Sequence, residues 1–186
     1  MVPIARSDWR VRVEVEQLFP QIIGSRWNIA SPFDRVYNCF AWAACDVNRR
    51  WEPTPDEYWP IADRTYDIDC FIRAFATLGY EPCGMDYTRK LGWQKIAIFS
   101  EVFMNEEWPA HIARQRIVGR GWHSKLGELE DIVHYDLNAL QGYRYGRVVL
   151  ILRRSWWSSL VNFCCFKCAS ASWSHWWYRR QHPHGV

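Results

Sequence analysis

The spacing of apolar residues changes character once along this chain, and that change constrains the fold more than any other feature. Between residues 39 and 79 two helical stretches flank a Trp- and Pro-rich connection, Trp51-Glu52-Pro53-Thr54-Pro55 through Tyr58-Trp59-Pro60. Asn38 is a good N-cap ahead of the apolar run Phe40 to Ala44, which predicts a buried helix over about 39–47. Thr65 to Leu78 predicts a second helix. Its residues Ile68, Phe71, Ile72, Phe75 and Leu78 recur three to four apart in one stripe, and Gly79 terminates it. After residue 90 the apolar segments are short and divided by Gly and Pro. Strands are expected at about 93–99, 110–117, 122–125 and 145–152, with Gly119 to Gly121 forming one turn. Glu128 to His134 is compatible with a short acidic helix. The alternation of Val11, Val13 and Val15 fits a strand better than a helix over 11–19, and Pro20 to Tyr37 reads mostly as loop. Helices followed by an antiparallel sheet make an α+β domain, with the helices against one face.

A chain of 186 residues suits one domain, and 49% apolar content supplies its core. The domain is expected over 1–152, with 153–186 as a Trp- and Cys-rich C-terminal extension. A net charge of +3, with the basic residues scattered, does not call for nucleic acid. Met1 to Gln17 carries six charged residues and no apolar run, so an export signal is not expected. Seven cysteines cannot all pair within one chain, and reduced thiols in the cytoplasm follow. In the extension, Arg153-Arg154 and Arg179-Arg180 bracket a segment with Trp156-Trp157 at one end and Trp173, Trp176 and Trp177 at the other. Its length suits a membrane span, but Lys167 near the middle would cost about 2.5–3.5 kcal/mol there. An irregular extension, a peripheral contact with a membrane surface or a protein, and a span all stay open. Cys164, Cys165, Cys168 and His175 lack the paired spacing of a zinc site. Neither a metal nor a cofactor is expected, and no Gly-rich phosphate loop is present.

Cys39 follows the N-cap Asn38 and falls in the first turn of its helix, where the dipole favours a thiolate. Its bland role is that of a small buried hydrophobe. A nucleophilic thiol needs a base and a third group that orients the base. Of six histidines, His111 is best placed, near the start of a core strand; the competing role is a satisfied polar residue at a strand end. The arrangement predicts the Cys39 sulfur within about 4 Å of a His111 ring nitrogen, and a thiol pKa below about 8.5. The Cys39 amide and the Asn38 side chain are the expected oxyanion donors. Trp51, Tyr58 and Trp59 would either line a substrate groove or pack a loop on the core. Asp67 and Asp69 serve a helix start.

The segment Tyr37-Asn38-Cys39-Phe40-Ala41-Trp42-Ala43, followed by Ala110-His111-Ile112-Ala113 and Gly121-Trp122-His123-Ser124-Lys125-Leu126-Gly127, resembles the nucleophile helix and following strands of papain-like thiol hydrolases of the NlpC/P60 type. The same segments, with Leu78-Gly79-Tyr80-Glu81, Lys95-Ile96-Ala97-Ile98 and Glu130-Asp131-Ile132-Val133-His134, resemble more narrowly an uncharacterised, mainly bacterial family over roughly residues 25–150. The resemblance implies a papain-like fold, with N-terminal helices on an antiparallel sheet. It implies Cys39 as nucleophile, His111 as base, and a polar orienter on the next strand. For that orienter, His123 ranks before Ser124, then Asp131 and His134. The implied function is a cysteine-dependent hydrolase or acyl-transfer enzyme acting on an amide, peptide or thioester bond. The alternative is an inactive papain-like module that binds a protein or a membrane surface, with the C-terminal extension making the contact.

Overall fold

A computed structural model describes residues 8–156. Three α-helices, α1 (Asp8–Leu18), α2 (Cys39–Ala43) and α3 (Ile68–Ala76), accompany seven strands. These are β1 (Trp27–Ser31), β2 (Glu81–Pro82), β3 (Trp93–Phe103), β4 (Glu106–Gln115), β5 (Trp122–Lys125), β6 (Asp131–His134) and β7 (Arg147–Ser155). The strands form one antiparallel sheet in the order β1-β6-β5-β4-β3-β7-β2. The architecture is α+β, with the helices contacting a multi-stranded antiparallel sheet. The extension from residue 157 onward, with its tryptophans, three cysteines and Lys167, lies outside the described residues. Among the described residues no helix is long and apolar enough to cross a membrane.

The helices cover both faces of the sheet, not one. Phe40 and Trp42 of α2 and Phe71 and Phe75 of α3 pack with Ile96, Ile98 and Ile112 on one side. Val11, Val15 and Phe19 pack with Ala97, Phe99, Ala113 and Ile132 on the other, beside a 3-10 turn at Leu137–Leu140. The cause is visible in β3, where Ile96-Ala97-Ile98-Phe99 is apolar at every position and buried on both sides. A central strand of that kind needs cover over both faces.

Three local expectations are corrected in the same physical terms. The segment around Val11 is helix α1, because Val11, Val15 and Phe19 lie four apart on the buried side while Val13 is 45% exposed. Four-residue spacing therefore outweighs the three-residue alternation. Asp131–His134 is a strand, paired with β5 on one side and with β1 on the other. β1 itself arises within the stretch expected to be loop. Helix α2 stops at Ala43, short of Val47, since Cys45 adopts a left-handed φ of 65°. Helix α3 keeps its expected stripe, and Asp67 caps it by accepting from the Cys70 amide at 2.6 Å. β4 runs through Pro109, which sits where the register with β3 slips between Phe99 and Ser100.

Candidate functional site

The site forms where β4 and β5 separate. The two strands pair only through Arg114–His123 and Gln115–Trp122, whereas β4 continues along β3 for most of its length. The start of α2 lies against this part of β4, which sets the Cys39 sulfur near the Ile112 amide. Cys39 borders an open cavity of about 430 Å³, whose walls include Glu52, Tyr66, Trp108, Arg144 and Tyr145.

Asn38 sets the helix start. Its Oδ1 accepts from the amides of Ala41 at 3.1 Å and Trp51 at 3.2 Å. Its Nδ2 donates to the Trp51 carbonyl and to Glu52 Oε2, both at 2.7 Å. Both amide hydrogens are therefore engaged, and Asn38 has no donor left for an oxyanion. Its role is to hold α2 and the Trp51–Glu52 segment together.

The expectation of a low thiol pKa is reversed. Burial pushes the Cys39 thiol up to about 12, and the nearby Glu52 charge adds to the rise. Amides of Ile112, Phe40 and Cys39 itself act in the opposite direction and do not overcome it. A five-residue helix supplies only a weak dipole, whereas desolvation acts on the whole charge.

His111 is fully buried, stacked on Tyr145 with ring centroids 4.2 Å apart and packed edge-on to Phe99. Gly146 makes the stacking feasible. Its φ is 65°, and a Cβ there would lie 1.8 Å from the Ser100 carbonyl oxygen, so no larger residue lets the chain pass β3 so closely. Behind the imidazole runs a chain of hydrogen bonds. His111 Nε2 is 3.0 Å from Ser124 Oγ, which is 2.9 Å from His134 Nε2, and His134 Nδ1 is 2.8 Å from the Asp136 carbonyl oxygen.

The direction of this chain follows from its last link. A carbonyl only accepts, so His134 Nδ1 carries a proton. Burial holds His134 down at about 4 and His111 well below its ordinary value, so both rings are neutral near pH 7. A neutral His134 with a proton on Nδ1 accepts at Nε2, and the Ser124 hydroxyl donates to it. The Ser124 oxygen then accepts from His111 Nε2. This leaves His111 Nδ1 as an unprotonated nitrogen, buried and with no hydrogen-bond partner among the described residues. The expected thiol–imidazole hydrogen bond is consequently not formed. Tyr145 links the two halves, carrying His111 on its ring and facing the cavity with Cys39.

His123, ranked first as orienter, points to the opposite face of β5. It packs 4.5 Å from the Trp42 ring, with Nε2 4.0 Å from Asp131 Oδ2. Asp131 also belongs to that face, where it accepts from Ser31 at 2.7 Å and Tyr37 at 3.0 Å beside Lys125. Ser124 is the residue that meets His111, and His134 stands behind it. Trp51 and Trp59 are buried against Phe75 and Phe71, Tyr58 lies edge-on to Trp51, and none of the three borders the cavity. The aromatic wall comes instead from Tyr66 and Trp108, stacked at 5.5 Å. Glu52, Glu101, Arg144 and Tyr145 also line the cavity. Only Glu52 had a sequence cue, as a carboxylate inside an aromatic, Pro-rich connection. Among the described residues no cluster of His, Cys, Asp or Glu is arranged to hold a metal ion.

Residues 28–153 match the model of a family described as a domain of unknown function, DUF7689. The chain belongs to that family. The matched span starts in β1 and ends in β7, so the DUF7689 domain contains the whole site from Asn38 to Tyr145, while α1 precedes it. No curated protein and no solved structure matches the chain.

Proposed function

We propose that this DUF7689 domain is a papain-like thiol hydrolase or acyl-transfer enzyme, distantly related to the NlpC/P60 type, acting on an amide, peptide or thioester bond. The observation that carries the reading is the Asp136–His134–Ser124–His111 chain, which leaves the Nδ1 lone pair of a buried imidazole unprotonated, on a ring stacked against the Tyr145 that lines the cavity with Cys39. Orienting a base through its far nitrogen is the task of a third catalytic group.

With both partners neutral, the thiol loses its proton as it attacks. The Cys39 sulfur bonds to the substrate carbonyl carbon, the S–H proton passes to His111 Nδ1, and the carbonyl π electrons move to oxygen. On collapse, His111 returns that proton to the departing amine or thiol, leaving a thioester on Cys39. Water or another acceptor then gives a proton to Nδ1, attacks the thioester and restores the thiol. The pair closes to bonding distance when substrate fills the cavity, as catalytic hydrogen bonds often tighten on binding.

A second reading, an inactive module that binds a protein or membrane surface, is favoured by the buried thiol and the missing Cys39–His111 hydrogen bond. In either case we place the protein in the cytoplasm, with the extension contacting a protein or membrane surface. The two readings separate on exposure to p-nitrophenyl acetate, followed by peptide mass mapping. Hydrolase chemistry predicts acetylation at Cys39 that is lost in Cys39→Ala and slowed in His111→Ala. Acetylation of Cys39 no faster than that of Cys70 or Cys83 would leave the binding module.

A further inference from the structure

With both Asn38 amide hydrogens engaged, the Cys39 amide is left without the second donor that a developing oxyanion needs. Glu52 borders the same cavity, is half-buried, and is held by the Asn38 residue that caps the nucleophile helix. Its Oε2 already accepts from Asn38 at 2.7 Å, so a proton on this carboxyl sits on Oε1. Building on the hydrolase reading, we propose that Glu52 acts as a neutral carboxylic acid whose Oε1 hydroxyl is the second oxyanion donor. It hydrogen-bonds the carbonyl oxygen as Cys39 attacks and keeps its proton throughout.

The surroundings suit a protonated carboxyl. Burial raises the Glu52 pKa to about 7; Arg50 lowers it, Glu57 raises it again, and the Asn38 bond lowers it. Arg50 is itself partnered by Glu57 at 3.6 Å. Cys39 faces Glu52 from α2, and Glu101 of β3 and Arg144 border the same cavity. A neutral Glu52 also removes the charge that opposes a negative sulfur. The donor is present below about pH 7 and is lost as the pH rises through that value.

The test compares two reagents on Cys39. p-Nitrophenyl acetate develops an oxyanion, whereas iodoacetamide alkylates sulfur without one. Glu52→Ala should slow acetylation about 10²–10³-fold, the usual effect of losing one oxyanion donor, while alkylation changes far less. Wild-type acetylation should fall as pH rises through neutrality relative to alkylation. In Glu52→Gln, whose amide donates at every pH, that fall should vanish. Equal slowing of both reagents in Glu52→Ala, or a persistent alkaline fall in Glu52→Gln, overturns the proposal and leaves the hydrolase reading standing. Absence of Cys39 acetylation in the wild type overturns both.

Discussion

Two buried polar clusters lie back to back on β5 and β6, and they solve the problem of burial in opposite ways. Alternate residues separate them: Ser124 and His134 point to the α1 side, His123, Lys125 and Asp131 to the α2 side. The α2-side cluster is ionic. Burial raises the Asp131 carboxyl to about 6 and lowers the Lys125 ammonium, while their attraction, with the Ser31 and Tyr37 hydroxyls, opposes the carboxyl shift. The α1-side cluster is neutral, and each hydrogen bond fixes the direction of the next. A charged pair tolerates some displacement, whereas the neutral chain works only in one tautomeric order. Direction is what a base requires, so the proposed hydrolase reading takes its base from the neutral side, while its nucleophile Cys39 belongs to α2.

The largest expected effects break this contrast from either side. Asp131→Ala strands a buried lysine, and denaturant unfolding should show a loss of about 3–5 kcal/mol. The protein that remains folded should acetylate Cys39 at the wild-type rate. A Lys125→Met/Asp131→Leu protein should recover part of the stability, because the buried charge is gone. His111→Ala should do the reverse, slowing acetylation about 10²–10⁴-fold, as expected for a lost general base. An acetylation loss in Asp131→Ala comparable to that in His111→Ala would dissolve the distinction.

A smaller effect is expected in the dependence of stability on pH. The His134 pKa falls from its ordinary 6.5 to about 4, chiefly through burial. A depressed imidazole contributes stability that is present above its unfolded pKa and lost as pH falls through the folded one. His134→Gln should therefore flatten the stability curve between about pH 4 and 6.5 by close to one proton, about 1.4 kcal/mol per pH unit. Asp131 acts in the opposite sense, since its raised pKa gives stability that is lost as pH rises through about 6. Unchanged slopes in both variants would contradict these assignments. The smallest effect belongs to His123→Gln, which should leave acetylation within about threefold of wild type because it touches Trp42 and Asp131, not His111. A tenfold loss would return His123 to the orienting role.

The sequence made some of this legible. Asn38 as a cap, the α3 stripe and the β5 limits were readable because each depends on neighbours within one turn or one strand. The helical state of Val11–Phe19 was not, since three valines at alternate positions satisfy both periods until the buried side is known. The choice between His123 and Ser124 turned on register, as one step along β5 changes the face. The low thiol pKa was inferred from a helix dipole, a local property, and was overturned by burial, a property of the whole fold. Nothing in the residues around Tyr145 announced that it would stack on His111, because a turn through Gly146 against Ser100 brings them together.

The central claim is the order of protons along His134, Ser124 and His111. It can be read directly by NMR of protein labelled in its histidine rings, where couplings between ring nitrogens and carbon-bound protons report which nitrogen is protonated. The account predicts His134 protonated on Nδ1 and His111 on Nε2, both neutral near pH 7, with the His111 pattern lost in Ser124→Ala. A His111 ring protonated on Nδ1, or on both nitrogens at that pH, would contradict it.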